Sequence, residues 1–131
     1  MSGYVLDASV AVTALTQPDS PAAGLLAGDD AVFQVPSIFD AEILGALRGL
    51  VRGGKFDAAA AADLIADLIV LPVDRWHMSP LLPRMWELRE NLTSYDAAYV
   101  ALAETTGTIL VTGDERIAAA PAVRCAIQII K

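Results

Sequence analysis

The sequence predicts an α/β fold with a short-stranded, mainly parallel central sheet covered by helices on both faces. Three observations carry that reading. Segments of strand character alternate with segments of helical spacing along the whole chain. The strand segments are short apolar runs, not the alternating patterns of a sheet with one wet face. The 131 residues are 55% hydrophobic with a mean hydropathy of +0.49, enough for one core, and show no internal repeat and no linker, so one domain over 1–131 is expected.

Each element has a local reason. Tyr4-Val5-Leu6 is an apolar strand that runs into Asp7. Ser9–Leu15, rich in alanine and valine, reads as a short helix. Ser20 and Pro21 look like the N-cap and first residue of a helix reaching Ala27. Ala31–Val35 is a second strand, stopped by Pro36, with Ser37 expected to cap a helix over Ile38–Arg52 that Gly53-Gly54 ends. Asp57 is placed to cap a second long helix up to Val70. Leu71-Pro72-Val73 is a brief strand at best, and Pro80–Asn91 reads as a helix with Leu81, Leu82, Met85 and Leu88 inward. Thr93-Ser94 opens a helix over Tyr95–Thr106 that Gly107 closes. Thr108–Val111 is the clearest strand, Asp114–Ala120 a short helix broken at Pro121, and Ala126–Ile130 the last strand.

Composition excludes several function classes. Nine basic against 16 acidic residues give a net charge of −7 and a pI near 4.4, the opposite of a domain held to nucleic acid by a bulk positive field. One cysteine, Cys125, excludes an internal disulfide and a thiolate zinc cage, and one histidine, His77, excludes a multi-histidine site. No basic, then apolar, leader is visible and no uncharged stretch is long enough to span a bilayer, so a cytoplasmic protein with no membrane role is expected.

Four acids stand out by position. In open parallel sheets ligands bind beyond the carboxyl ends of strands. Asp7 follows one strand, and Asp114 follows another after a Thr112-Gly113 turn. Glu42 lies among Ile38, Phe39, Gly45 and Ala46 at helical spacing, and Asp96 has Tyr99 and Val100 one turn on, so both are expected on inward faces. A buried carboxylate needs a cation, a proton or a metal. The only lysines are Lys55 and Lys131, and Arg48 and Arg52 point away from Glu42. A shared divalent ion therefore accounts for the four acids better than separate salt bridges do, and an all-oxygen set favours Mg²⁺, with Mn²⁺ as substitute. Such an ion serves phosphodiester hydrolysis, and it lowers the net charge from −7 to −5, or to −3 if two bind.

The same residues resemble the PIN-domain ribonucleases, most closely the VapC-type toxins of toxin–antitoxin pairs. The resemblance rests on Val5-Leu6-Asp7-Ala8-Ser9, on Pro36 with Asp40-Ala41-Glu42, on Tyr95–Ala103, and on Leu110–Arg116, in that order over nearly the whole chain. It implies a three-layer α/β/α sandwich and metal-dependent cleavage of RNA by a metal-activated water. It also implies a homodimer and a small cognate antitoxin that assembles with the chain as a hetero-oligomer. Asp7, Glu42, Asp96 and Asp114 match the family's acidic quartet, Asp7 and Asp96 its most direct metal ligands. Thr112 matches a supporting hydroxyl position, with Ser9 in a similar place.

Plainer readings stand beside these. Asp114 and Thr112 are also ordinary turn and N-cap chemistry, and Arg116 serves equally as a phosphate contact or as a local ion-pair partner. Trp76 and Trp86 fit core or interface packing better than base stacking. A phosphatase or receiver domain also uses a strand-end aspartate but wants a lysine near it, and neither lysine is expected to follow a strand. A non-catalytic binding module of the same fold is the remaining alternative.

Overall fold

The computed structural model describes residues 2–131. Five strands form one sheet: β1 (Ser2–Leu6), β2 (Ala31–Pro36), β3 (Val73–Trp76), β4 (Ile109–Thr112) and β5 (Ile127–Ile129). The helices are α1 (Ala8–Thr16), α2 (Pro21–Ala27), α3 (Phe39–Arg52), α4 (Ala58–Ile69), α5 (Leu82–Glu87), α6 (Ser94–Thr106) and α7 (Glu115–Ala119). The sheet order is β3-β2-β1-β4-β5 and every pairing is parallel.

That order fixes the layers. From β1 the chain steps to β2 and then β3, crossing by α1–α2 and α3–α4. It then vaults back over β1 to β4 through α5 and α6, and goes on to β5 through α7. Right-handed crossovers put helices of opposite step direction on opposite faces. The packing agrees: α1 rests on α2 and α3, whereas α6 rests on α5 and on β1, β2 and β4. The result is an α/β/α sandwich whose direction reverses between β1 and β4. Carboxyl ends at such a switch point leave an open crevice.

The core is the apolar content of the central strands, Val5, Leu6, Phe33, Val35, Leu110 and Val111, closed by helices on each side. In α6 seven consecutive residues, Ala97–Ala103, are buried, the pattern of a helix enclosed all round. Its small alanines let it lie close to the strands. The Thr93 side chain accepts from the Asp96 N–H at its start, and Gly107, at φ 66°, closes its end in the left-handed conformation. No helix among the described residues is long and apolar enough to cross a membrane.

Three local expectations differ from the structure. Ser37 does not cap α3, whose N-cap is Ile38. The Ser37 N–H instead donates to the Trp76 carbonyl at 2.9 Å, prolonging the β2–β3 pairing. The third strand lies at Val73–Trp76, beyond Leu71-Pro72, with Asp74 and Arg75 exposed. An edge strand needs little apolar content, and Arg75 is tied down by both Asp40 oxygens and the Leu68 carbonyl. The helix expected over Pro80–Asn91 is a 3₁₀ turn at Ser79–Leu81 followed by α5. Leu81, Met85 and Leu88 are buried, but Leu82, one step round the helix, is 52% exposed.

Candidate active site

The carboxyl ends of β1 and β4 build the site. The Asp7 N–H donates to the Val111 carbonyl at 3.0 Å, which carries the β1–β4 pairing one residue past the strand. Thr112, fully buried at the end of β4, donates its hydroxyl to Oδ2 of Asp7 at 2.7 Å. Ser9, in the first turn of α1, donates to the same oxygen at 3.0 Å. Glu42 comes from the first turn of α3, and its Oε1 accepts from the hydroxyl of Tyr99 at 2.6 Å. Tyr99 is buried in α6 one turn after Asp96, so Asp96 and the Tyr99–Glu42 pair face the same space. Asp7, Glu42, Asp96 and Asp114 all line one open cavity of about 610 Å³, together with Ser9, Gly113, Glu115, Arg116 and Lys131.

The comparisons follow from that geometry. The PIN domain profile matches residues 4–123. The chain belongs to the PIN domain family. Among its curated relatives are the ribonucleases VapC9 and VapC1 of Mycobacterium tuberculosis. The chain is 37% identical to VapC9 over 126 residues, 96% of this chain and 97% of the relative. It is also 37% identical to VapC1, over the full length of both. Solved PIN-fold neighbours include PAE2754 of Pyrobaculum aerophilum (TM-score 0.69, 25% identity, 96% of this chain and 83% of that one). VapBC2 of Rickettsia felis, bound to a promoter DNA fragment, superposes with a TM-score of 0.70 at 17% identity, over 98% and 99% of the chains.

In this PIN domain the acids are not equivalent. Glu42 and Asp96 hold their protons above the ordinary carboxylate range, chiefly because partial burial penalises the charge. The charge of Asp7 adds to both, and Tyr99's hydrogen bond offsets part of the shift in Glu42. Among the described residues Asp7, Glu42 and Asp96 take part in no ion pair. Asp114 differs. Arg116 donates from Nε to its Oδ1 at 3.1 Å and from a terminal nitrogen to its Oδ2 at 2.8 Å, which holds the carboxyl below its usual range. Asp114 also caps α7 by accepting from the Arg116 N–H. The structure thus shows the local ion pair for Arg116 and the N-cap for Asp114, while keeping Asp114 on the cavity wall.

Among the described residues no three of His, Cys, Asp and Glu stand close enough together to hold a metal ion between them as the side chains are placed. The donor chemistry nevertheless fits a hard divalent cation: three mutually repelling carboxylates, all-oxygen, unpaired and open to the cavity. Mg²⁺ in particular is usually bound through one or two carboxylates, with waters and substrate phosphates completing the sphere, and not by an all-protein cage.

Two sequence arguments need correction. Gly45 and Ala46, taken as marks of an inward face around Glu42, are exposed; Glu42 is on the cavity wall, between core and solvent. Lys131 does follow a strand, β5, and reaches the cavity, where its ammonium pairs with Glu115 at 3.2 Å and not with Asp7. Sequence reasoning missed the hydroxyl of Tyr99 as a site group. The clue was available, since a buried tyrosine needs a partner for its O–H and Asp96 sits one turn before it.

Proposed function

We propose that the chain is a metal-dependent endoribonuclease, the toxin of a toxin–antitoxin pair, which hydrolyses RNA phosphodiester bonds with Mg²⁺ or Mn²⁺. Family membership and full-length likeness to VapC ribonucleases support the ribonuclease activity. One observation carries the metal requirement. Asp7, Glu42 and Asp96 share a cavity, Asp7 suppresses the ionisation of the other two, and among the described residues none of the three is in an ion pair. Asp7 and Asp96 would be the direct ligands, with Glu42 and Asp114 completing the acidic set.

An ion held by Asp7 and Asp96 would supply Lewis acidity toward the phosphate and the attacking water. The chain's own groups do the rest. Thr112 and Ser9 fix the rotamer of Asp7, and Tyr99 fixes that of Glu42. Arg116 and Lys131 on the rim put positive charge where an RNA backbone enters an otherwise acidic pocket.

Two apolar surfaces support protein partners, namely a second copy of the chain and a small cognate antitoxin. Ile65, Ile69 and Val70 of α4 and its end, with Leu44 of α3, form one; Leu82 and Trp86 of α5 form the other, where Trp86 is 68% exposed and not packed in the core. The test of the enzyme is direct. Asp7→Asn and Asp96→Asn each reduce cleavage of total cellular RNA by about a hundredfold or more, the rate equivalent of losing several kcal/mol of charge stabilisation. Chelation abolishes cleavage by the wild type. Full turnover in chelator, or in both variants, contradicts the reading.

A further inference from the structure

Three hydroxyls treat two carboxylates alike. Thr112 and Ser9 both donate to Oδ2 of Asp7, and Tyr99 donates to Oε1 of Glu42. The other oxygen of each pair, Oδ1 of Asp7 and Oε2 of Glu42, accepts no hydrogen bond among the described residues. Both carboxylates line the cavity.

An oxygen already occupied by a short hydroxyl bond is a poor second ligand atom. Each acid is thereby presented as a one-oxygen donor. That distinction separates two families of ion. Ca²⁺ takes roughly six to eight oxygens at about 2.4 Å and accepts carboxylates through both oxygens, whereas Mg²⁺ demands octahedral geometry at about 2.1 Å and takes one oxygen from each. The hydroxyl of Tyr99 donates to Glu42, and the Ala8 backbone N–H also acts on its oxygen. The residue is 1% exposed, a phenylalanine would fill the same volume, and among the described residues the only side chain its hydroxyl bonds is Glu42. Burying a hydroxyl is unfavourable unless it is bonded, so its placement beside Glu42 has a consequence for Glu42.

We propose that Tyr99 and the Thr112–Ser9 pair are positioning residues that set ion selectivity. By withholding one oxygen of Glu42 and one of Asp7 they favour a small octahedral cation and disfavour Ca²⁺. The inference deepens the metal-dependent reading and rests on it.

Calorimetric titration of Mg²⁺, Mn²⁺ and Ca²⁺ into the full chain, without RNA, tests it. The wild type binds Mn²⁺ and Mg²⁺ more tightly than Ca²⁺. Tyr99→Phe loses about tenfold in Mn²⁺ affinity, the low end for removing an outer partner of a ligand, while Ca²⁺ binding does not weaken. The double variant Ser9→Ala, Thr112→Val shifts the ratio the same way through Asp7, and Thr112→Ser alone keeps the wild-type ratio. These last two variants decide the matter if Tyr99→Phe does not fold. Equal weakening of both ions, or no change, in variants with wild-type circular dichroism overturns the selectivity inference and leaves metal dependence standing. A wild type that binds no divalent ion overturns both.

Discussion

Glu42 and Asp96 are protonated more readily in the folded chain than in an unfolded one, by burial first and by the charge of Asp7 besides. A raised carboxyl pKa contributes stability that is fully present below the unfolded value and lost as pH rises through the folded one. In metal-free protein both groups therefore lower stability on the alkaline side of the ordinary carboxylate range. Asp96→Asn removes its share, so its Tm in chelator exceeds that of wild type at pH 8, and the gain vanishes below pH 3.8, the ordinary value for aspartate. Thermal melts across pH read this directly. Glu104 behaves oppositely. Burial raises it, but Arg84 and the Arg124 N–H outweigh burial and leave it lowered, so its contribution is lost as pH falls. Arg116 occupies both oxygens of Asp114, and Arg116→Ala frees them; Mn²⁺ binding by calorimetry tightens a few-fold. At this scale the strand-end acids Asp7 and Asp114 were legible, whereas helical spacing put Glu42 on a more enclosed face than the cavity wall it occupies. The support of Asp7 by Thr112 and Ser9 came only with the family resemblance, and the partner of Glu42 was not legible, because Tyr99 lies 57 residues away and no local pattern encodes that contact.

Among the elements, α6 does the most to hold the site. It delivers Asp96 at its first turn and Tyr99 one turn later while packing on β1, β2 and β4. Its alanines have no room beside them: Ala98 is fully buried, and Ala98→Leu overpacks the helix–sheet contact. Chemical denaturation measures a loss of about 1–3 kcal/mol. The start and end of α6 were readable because Thr93 and Gly107 are capping chemistry with a mechanism. The same held for Ser20 and Asp57, whose side chains accept from Ala23 and Ala60. Reading failed at Ser37, where a strand's last N–H bond displaced the cap, and across 71–91. There β3 lies at the sheet edge with two charged residues outward, so its pattern is not that of a buried strand. Pro83 in the first turn of α5 and the short 3₁₀ turn before it likewise break the single period that the leucines suggest.

For the whole molecule, the proposed divalent ion would be a folding ligand as well as a catalytic one. Anything that binds only the native state stabilises it by mass action: at a hundredfold excess over Kd this is about 2.7 kcal/mol, a rise in Tm on the order of 10 °C for a chain of this size. Mn²⁺ should raise the wild-type Tm accordingly, and much less in Asp7→Asn; equal rises would show the ion binding elsewhere. The overall architecture was the most legible level of all, since the alternation of strand and helix leaves few topologies once crossovers are right-handed. What no alternation reveals is the order of strands in space. The reversal at β1 and β4 makes a working pocket from the two ends of the chain's history. During synthesis Asp7 emerges early, and its Thr112 partner follows only 105 residues later. The pocket is therefore complete only once β4 has paired beside β1.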